Sequence, residues 1–258
     1  MITEKDEIVA LIDGDIIAYK AAAIADGHGP DELVTAIKRQ VMEWTQAVNG
    51  DRPVVFVSEG RNFRYDVYEP YKSHRKGQKK PPGVDYAKEW MLDKYDQVLS
   101  DPDLEADDRM GLYATEETEE VRVIVSTDKD LRQIPAYVFN PDKSVYPDRY
   151  SPEEGMQMVF FQWVCGDPVD GYPGIPGMGV KKYQRWLQEL GPTSLGVFDL
   201  FESKELTREY CISQLLCSTI KHNHLPEPLQ VTTIADFPEE FSFQTTYGEP
   251  RFWAAIGG

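Results

Sequence analysis

Residues 121–125 form a short run of mainly β-branched residues, VRVIV, which the polar segment Ser-Thr-Asp-Lys-Asp follows directly. Such a run is typical of a strand that is buried on both faces of a parallel sheet. In an open α/β sheet, the functional crevice lies at the carboxyl ends of the strands. We therefore expect Asp128 and Asp130 to lie in that crevice. The alternative is a polar loop in which Asp130 caps a helix.

Two further apolar runs predict neighbouring strands. Residues 8–12 end at Asp13, and residues 54–57 follow a predicted helix that begins near Pro30, with Asp31 as its N-cap. A strand, a helix and a strand in this order form a βαβ unit. Residues 136–139 predict one more strand. The chain is therefore predicted to have an α/β fold with a mostly parallel sheet.

Acidic residues cluster at two further places, a predicted helix start that Asp103 would cap and the segment before a glycine-rich turn. The helix dipole favours carboxylates in a first turn, which is the structural interpretation. The acids of residues 103–108 exceed what a cap needs, and their mutual repulsion favours a bound cation. Carboxylate oxygens suit Mg²⁺ or Mn²⁺. The clustered acids are Glu105, Asp107, Asp108, Asp167 and Asp170.

Basic and aromatic residues alternate within residues 61–80 of an otherwise acidic chain. Cations can contact phosphates, and aromatic faces can stack on unpaired bases. The alternative is a solvated loop whose lysine stems lie along the surface. The residues of this segment that we consider for contact with nucleic acid are Arg64, Tyr71, Lys72, Arg75 and Lys76.

A capping box of Ser151 and Glu154 predicts a helix that begins at Pro152 and delivers the chain to a glycine-rich turn at residues 174–179. A second helix is predicted from about Val180. Glycines before a helix N-terminus let backbone N–H groups approach a phosphate, and lysines add positive charge there. The residues predicted to contact DNA in this way are Gly174, Gly177, Gly179, Lys181 and Lys182.

The net charge of −17 argues against a nucleic-acid partner, yet the location of charge matters more than its sum. The three cysteines lack CxxC spacing and indicate reduced thiols in a cytoplasmic protein. The polar N-terminal residues predict no signal peptide, and no apolar run approaches the roughly 20 residues that span a membrane. We therefore expect a cytoplasmic protein without a membrane partner.

In chain order, these motifs resemble the 5′-nuclease superfamily, which includes flap endonucleases, phage 5′–3′ exonucleases and the 5′-nuclease domain of bacterial DNA polymerase I. The resemblance covers most of residues 8–190. It implies a PIN-like core at residues 1–165, and a helix–three-turn–helix motif at 171–190 within a C-terminal region, 166–258, packed as one unit with the core. The matching motifs are Asp13-Gly14, Phe63-Arg64, Tyr71 to Arg75, Glu105 to Asp108, Ser126 to Asp130, and Gly166 to Lys182.

The resemblance also implies roles for individual residues. Lys72 and Arg75 correspond to a basic pair near the scissile phosphate, with Tyr71 beside them. The glycine turn corresponds to a segment that holds duplex DNA, in some relatives with a K⁺ ion. Two Mg²⁺ or Mn²⁺ ions would be bound by two groups of carboxylates, Asp13, Glu105, Asp107 and Asp108 on one side and Asp128, Asp130, Asp167 and Asp170 on the other.

The implied function is a structure-dependent 5′–3′ exonuclease or flap endonuclease that hydrolyses DNA by a two-metal mechanism. A monomer that works with replication proteins is expected. The alternatives are a haloacid-dehalogenase-like phosphatase with Asp13 as nucleophile, and an inactive structure-specific DNA-binding protein. The sequence departs from the family at Glu59, which replaces an expected Asp, and at Asp15, which replaces an uncharged residue. The span between Arg75 and Glu105 is short for a full helical arch.

Overall fold

The strands of the protein form one five-stranded sheet at its centre. A computed structural model describes residues 7–26, 28–96, 98–190 and 193–242. The strands are β1 (Ile8–Asp13), β2 (Arg52–Phe56), β3 (Val121–Val125), β4 (Tyr137–Phe139) and β5 (Asp148–Arg149). Their order is β2-β1-β3-β4-β5, and only the β4–β5 pair is antiparallel. The predicted, mostly parallel α/β sheet is confirmed.

Helices cover both faces of this sheet. Ile8, Ala10 and Ile12 of β1 face one hydrophobic core, and Val9 and Leu11 face another, so that the strand is buried on both sides as predicted. The helices are α1 (Gly14–Ile24), α2 (Pro30–Ala47), α3 (Arg64–Val67), α4 (Val84–Lys94), α5 (Ala106–Ala114), α6 (Pro152–Cys165), α7 (Val180–Leu190), α8 (Ser194–Glu202) and α9 (Arg208–Ser218). Helices α1, α2 and α4 contribute to the first core, and α5 contributes to the second.

Helices α6 to α9 build a separate hydrophobic core with Trp163, Tyr183, Leu187 and Phe201. A glycine brings this helical part close to the sheet, because a Cβ at Gly155 of α6 would lie 2.1 Å from the Gln133 carbonyl oxygen. Gln133 ends a 3₁₀ turn, Asp130–Gln133, that follows β3. The helical part is thereby packed against the segment that carries Asp130.

Several predicted helix starts differ from the structure. Gly29 occupies the N-cap of α2 because Pro30, which has no N–H to satisfy, takes the first helical position, and Asp31 lies in the first turn. Helix α5 begins at Ala106, with Glu105 rather than Asp103 at its N-cap. Asp130 opens the 3₁₀ turn after the N-cap Lys129 and is not a helix cap.

The capping box at the start of α6 is confirmed, since the Ser151 side chain accepts a hydrogen bond from the Glu154 N–H and the Glu154 carboxylate accepts one from the Ser151 N–H. Helix α4 ends at Lys94, because Tyr95 takes an extended conformation.

The segment between Arg75 and Glu105 contains one helix, α4, which packs on α1 and α2 through Val84, Ala87 and Met91. Although this span is short, its helix packs into the first hydrophobic core. Phe237 is buried against Phe241, and residues 243–258 lie outside the described residues. No helix of the described residues is long and apolar enough to cross a membrane.

Candidate active site

The parallel pairing of β1 and β3 brings their carboxyl ends together. Ile12 lies opposite Val125, so Asp13 and Ser126 are the residues that come next on each strand. The Ser126 Oγ donates to Asp13 Oδ2 at 2.6 Å, and the Asp128 N–H donates to the same Oγ at 2.9 Å. Ser126 therefore links two of the predicted carboxylates across the strand ends. Asp128 lies at this edge of the sheet, as its position after β3 predicted.

Asp130 is fixed in the same loop by two bonds. Its N–H donates to Asp128 Oδ1 at 2.9 Å, and Gln162 Nε2 of α6 donates to Asp130 Oδ1 at 2.7 Å. Asp167 follows the C-terminal end of α6 and is nearly buried, and its Oδ1 accepts the Val169 N–H at 2.7 Å. The loop after β3 and the loop after α6 therefore hold their carboxylates side by side.

The N-terminus of α5 supplies two more acids to this edge. Glu105 is the N-cap residue and Asp107 lies in the first turn, where the helix dipole favours negative charge. The Ser58 Oγ accepts the Ala106 N–H at 3.0 Å, which ties the start of α5 to the loop after β2. Asp107 interacts electrostatically with Asp13, Asp128 and Glu105, so the acids of α5 belong to the same cluster.

Asp108 and Arg64 take other positions than the sequence analysis predicted. Arg64 donates to the two carboxylate oxygens of Asp108 at 2.7 Å each, and their side chains are 3% and 0% exposed. Burial alone would raise the pKa of Asp108, but the Arg64 guanidinium outweighs this effect and holds it below the usual value. Arg64 has no exposed surface that could contact DNA. Asp108 supports the site through this ion pair and not as a metal ligand. We revise both assignments accordingly.

Three residues of the basic segment contact the acids directly. The Lys72 Nζ lies 2.6 Å from Glu105 Oε1 and 3.6 Å from Asp170 Oδ1. Arg75 donates to Asp170 Oδ1 at 2.8 Å. The Tyr71 hydroxyl donates to Glu105 at 2.8 Å and to Asp170 at 3.1 Å, while its ring is buried. Tyr71 thus positions two carboxylates and presents no ring face to solvent.

The backbone at Lys72 adopts a left-handed conformation, with φ of 50° and ψ of 15°. Non-glycine residues rarely adopt this region, and such strain is concentrated at functional sites. The Asp170 carbonyl accepts the Lys72 N–H at 2.7 Å and so holds the basic segment against the loop after α6. The strained backbone at Lys72 therefore indicates a functional role for its side chain, whose ammonium group lies at the edge of the acid cluster.

Four carboxyl groups of the cluster have raised pKa values. Burial and the charge of Asp15 raise the pKa of Asp13 to about 7, against the hydrogen bond from Ser126. Burial and the charge of Asp128 raise the pKa of Asp130 to about 7. Burial raises the pKa of Asp107 well above its usual value and also raises that of Asp128. Close buried carboxylates that resist ionisation fit a site that a divalent cation completes.

The carboxylates do not yet surround a common point. Within the part of the chain that the structure describes, no three carboxylate, histidine or cysteine side chains converge closely enough to hold one ion. Ammonium groups lie between them instead, since Lys72 spans Glu105 and Asp170 and the Lys129 Nζ lies 2.9 Å from both Asp130 and Asp167. The donor chemistry of the cluster fits Mg²⁺ or Mn²⁺.

The glycine-rich turn combines buried and exposed residues. Gly174 is buried, its N–H donates to Gln214 and its carbonyl accepts the Tyr210 hydroxyl, so its predicted contact with DNA is revised to a structural role. Gly177 and Gly179 are exposed, as are three lysines predicted to contact DNA, Lys76, Lys181 and Lys182. The Lys182 Nζ donates to the Gly177 carbonyl at 2.8 Å.

Sequence reasoning missed some residues that organise the site. Ser126, Ser58 and Lys129 were not predicted as site residues, although Ser126 and Lys129 stand within the motif that carries Asp128 and Asp130. Glu59 pairs with Arg109 at 3.1 Å and is accounted for by that ion pair. Asp15 accepts the Ser58 N–H and pairs with Lys88 of α4 at 2.8 Å.

Comparisons with known proteins identify relatives of this chain. An exodeoxyribonuclease of Enterobacteria phage T3 is 29% identical over 194 residues, which cover 67% of this chain and 64% of the phage protein. DNA polymerase I of Mycobacterium tuberculosis is 30% identical over 203 residues, 71% of this chain but 22% of the polymerase. The chain therefore spans less than two thirds of the length of either relative.

Among solved structures, the bacteriophage T5 D15 protein crystallised with metal ions superimposes with a TM-score of 0.59 at 15% identity, over 81% of this chain and 88% of that one. A variant of the same flap endonuclease, in complex with DNA and metal ions, gives a TM-score of 0.57 at 14% identity over the same shares. These matches show the fold. The family model for the N-terminal resolvase-like domain of 5′–3′ exonucleases matches residues 8–154, more than half of the chain. The chain belongs to the 5′–3′ exonuclease family.

Proposed function

We propose that this protein is a metal-dependent nuclease that hydrolyses DNA phosphodiester bonds at 5′ ends, flaps or duplex junctions. The observation that carries the proposal is the cluster of buried carboxyl groups with raised pKa values, Asp13, Asp107, Asp128 and Asp130, faced by the cations Lys72 and Arg75. Carboxylates that face basic side chains in this way can bind metal cations, and the basic side chains can bind a phosphate.

The metal ligands of the proposal are drawn from the two sides of this cluster. Two bound Mg²⁺ or Mn²⁺ ions would supply an activated water and stabilise the attacking and leaving oxygens. Asp108 is left out because Arg64 occupies both of its oxygens. The proposed ligands are Asp13, Glu105 and Asp107 on one side, and Asp128, Asp130, Asp167 and Asp170 on the other.

Lys72 and Arg75 are proposed to stabilise the negative charge that develops on the scissile phosphate. Glu105 and Asp170 raise the pKa of Lys72 despite its burial, so the amine is positively charged at neutral pH. With Glu105 and Asp170 neutralised by bound metal, Lys72 and Arg75 would be available to contact the phosphate. Tyr71 is proposed to act through Glu105 and Asp170, which it holds in place.

The exposed lysines of the glycine turn are proposed to bind duplex backbone. Lys181 and Lys182 lie in the first turn of α7, where the helix dipole adds positive potential, and Gly177 and Gly179 leave the backbone accessible. Lys76 would add a contact from the basic segment. A K⁺ ion in this turn would compete with Lys182, which already occupies the Gly177 carbonyl. Replication proteins as partners, a monomeric state and a cytoplasmic location in a bacterial or phage-infected cell rest on the family resemblance.

The phosphatase alternative is not favoured. Asp13 accepts hydrogen bonds at both carboxylate oxygens, from the Ile16 N–H and Ser126 Oγ, and is 2% exposed, so it is a poor nucleophile. The family match also argues against it. An inactive DNA-binding protein would retain the folded site without turnover.

A single assay separates these alternatives. The protein is incubated with 5′-labelled flap and duplex DNA, with Mg²⁺ and with EDTA. We expect Mg²⁺-dependent release of short labelled 5′ products. Release of inorganic phosphate alone would support a phosphatase, and binding without any cleavage would support an inactive DNA-binding protein.

A further inference from the structure

Lys129 lies beside the acid cluster but has no role in the proposed reaction. It stands between Asp128 and Asp130 in the sequence, and its side chain turns back onto the acid cluster. The Lys129 Nζ lies 2.9 Å from Asp130 Oδ1 and 2.9 Å from Asp167 Oδ2. It thus bridges two carboxylates that come from different loops, in the place where a divalent cation would bridge them.

The carboxylates of this bridge are held independently of Lys129. Asp130 receives a bond from Gln162 of α6, and Asp167 receives the Val169 N–H at its other oxygen. Their side chains are 18% and 5% exposed, whereas that of Lys129 is 40% exposed. The lysine can therefore leave towards solvent while both acids keep their positions.

Lys72 shows the contrast. Its side chain is 13% exposed, and its own backbone is tied to the Asp170 carbonyl in a left-handed conformation. Of the ammonium-bearing side chains of Lys72 and Lys129, that of Lys129 is the more exposed and can therefore move away from the acid cluster.

We propose that Lys129 is an internal counter-cation that stabilises the metal-free site and is displaced when a divalent cation binds to Asp130 and Asp167. This inference rests on the proposed metal site. The lysine prevents two nearly buried carboxylates from repelling each other, and it sets the metal affinity on this side because each ion must compete with it. Lys129 is a positioning residue in this account and does not touch substrate.

The size of the effect follows from the exposure of the pair. An ion pair with one side chain near half exposure contributes about 0.2–1 kcal/mol, so its loss should tighten binding of one ion by about 1.5- to 5-fold. The metal-free protein should lose up to about 4 °C in melting temperature, a loss that bound metal restores.

The test uses the full chain as Lys129→Met, which keeps the stem but not the charge, and as Lys129→Arg, which keeps the charge. Lys20→Met is the matched control, because Lys20 forms a 2.8 Å pair with Asp142, outside the cluster, at 32% exposure. Mn²⁺ affinity is measured by calorimetry, and melting temperatures are measured in EDTA. We expect Lys129→Met alone to bind one Mn²⁺ more tightly and to melt lower without metal.

Simple removal of a nearby charge could also raise Mn²⁺ affinity, so the displacement itself is observed by ¹⁵N NMR of lysine ammonium groups. The Lys129 signal, identified by its loss in Lys129→Met, should be protected from exchange in EDTA and lose that protection with Mg²⁺. A signal that stays protected with Mg²⁺ bound would overturn the proposal, as would weaker or unchanged Mn²⁺ binding in Lys129→Met.

Failure of the proposed function gives a different result. If the parent protein binds no Mn²⁺, the metal site is refuted, and the melting temperatures in EDTA then decide whether Lys129 is a counter-cation. If Lys129→Met does not fold, as judged by circular dichroism, Lys129→Gln replaces it in the same measurements.

Discussion

Two cation–carboxylate pairs of this protein come from the same two segments of the chain but differ in their surroundings. Arg64 and Asp108 are joined by two 2.7 Å bonds, and Arg64 donates further to the carbonyls of Cys217 and Thr219. Lys72 meets Glu105 at 2.6 Å, and its other ion-pair partner among the described residues is Asp170 at 3.6 Å. All three side-chain nitrogens of Arg64 donate to backbone carbonyls or to the carboxylates of Asp108 and Glu105. Both ion-pair partners of Lys72 are proposed metal ligands.

The comparison separates a structural cation from a functional one. Arg64 ties the end of α9 to α5, so its removal should damage the fold. Lys72 has a strained backbone and lies at the edge of the acid cluster, so its removal should lower the rate of cleavage. Measurements of stability and of turnover on the same variants test this distinction.

The largest effect is expected for Arg64→Met. It leaves Asp108 buried without its partner, which should lower the free energy of unfolding by about 3–5 kcal/mol. Urea denaturation measures the loss. Arg61→Met is the control, because the Arg61–Asp66 pair is 68% exposed on both sides and should contribute less than about 1 kcal/mol. Equal losses in the two variants would remove the structural role of Arg64.

Lys72→Ala should lower kcat by about 10²–10³-fold with little change in KM, because a transition-state contact is lost. Steady-state cleavage of a labelled flap measures both constants, and circular dichroism confirms the fold. Lys79→Ala changes an exposed lysine of the same segment and should leave kcat unaltered. An effect of Lys72→Ala confined to KM would turn Lys72 into a general DNA contact.

The acid cluster should make the metal-free protein less stable as pH rises. Asp13 and Asp130 have an unfolded pKa near 3.8 and a folded pKa of about 7. The folded state therefore holds more protons between these values, and the stability present below pH 3.8 is lost as pH rises towards 7. In EDTA, the unfolding free energy should fall over this window by several kcal/mol. Mg²⁺ should offset the fall, and a flat profile in EDTA would contradict the raised pKa values.

The smallest effect is expected at the glycine turn. Lys181→Ala combined with Lys182→Ala should weaken duplex binding equally across sequences and flatten the salt dependence by up to about two units of slope. Fluorescence anisotropy at several salt concentrations measures both. Lys143→Ala with Lys204→Ala, two other exposed lysines, should change neither. Loss of single-strand cleavage with unchanged duplex affinity would return the turn to a structural role.

The sequence predicted what local patterns determine. The β-branched runs of β1, β2 and β3 specify buried strands, and the residues that follow them must meet at one sheet edge, which placed Asp13 and Asp128. Strand β5 has only two residues, Asp148 and Arg149, too few to show a period. Helices α1, α8 and α9 were not predicted, although Thr193 and Thr207 are N-cap signals for the last two.

Partners distant in the sequence could not be predicted. Arg64 and Lys72 look alike in the printed sequence, since both stand beside aromatic residues in one basic segment. Arg64 becomes structural because the carbonyls of Cys217 and Thr219, more than 150 residues away, converge on it. Lys129 was passed over for the same reason, because its partner Asp167 comes from the loop after α6.

Asp128→Asn tests the central claim most directly, because it removes one charge from the acid cluster while keeping the size of the side chain. Cleavage of a 5′-labelled flap in Mg²⁺ and binding of the same flap in EDTA are measured together, with Asp142→Asn as a control outside the site. The account predicts that cleavage is abolished and that affinity stays within about threefold, since Asp128 binds metal and not phosphate. Residual turnover within about tenfold of the parent would contradict the account, because loss of a metal-held nucleophile should cost several kcal/mol.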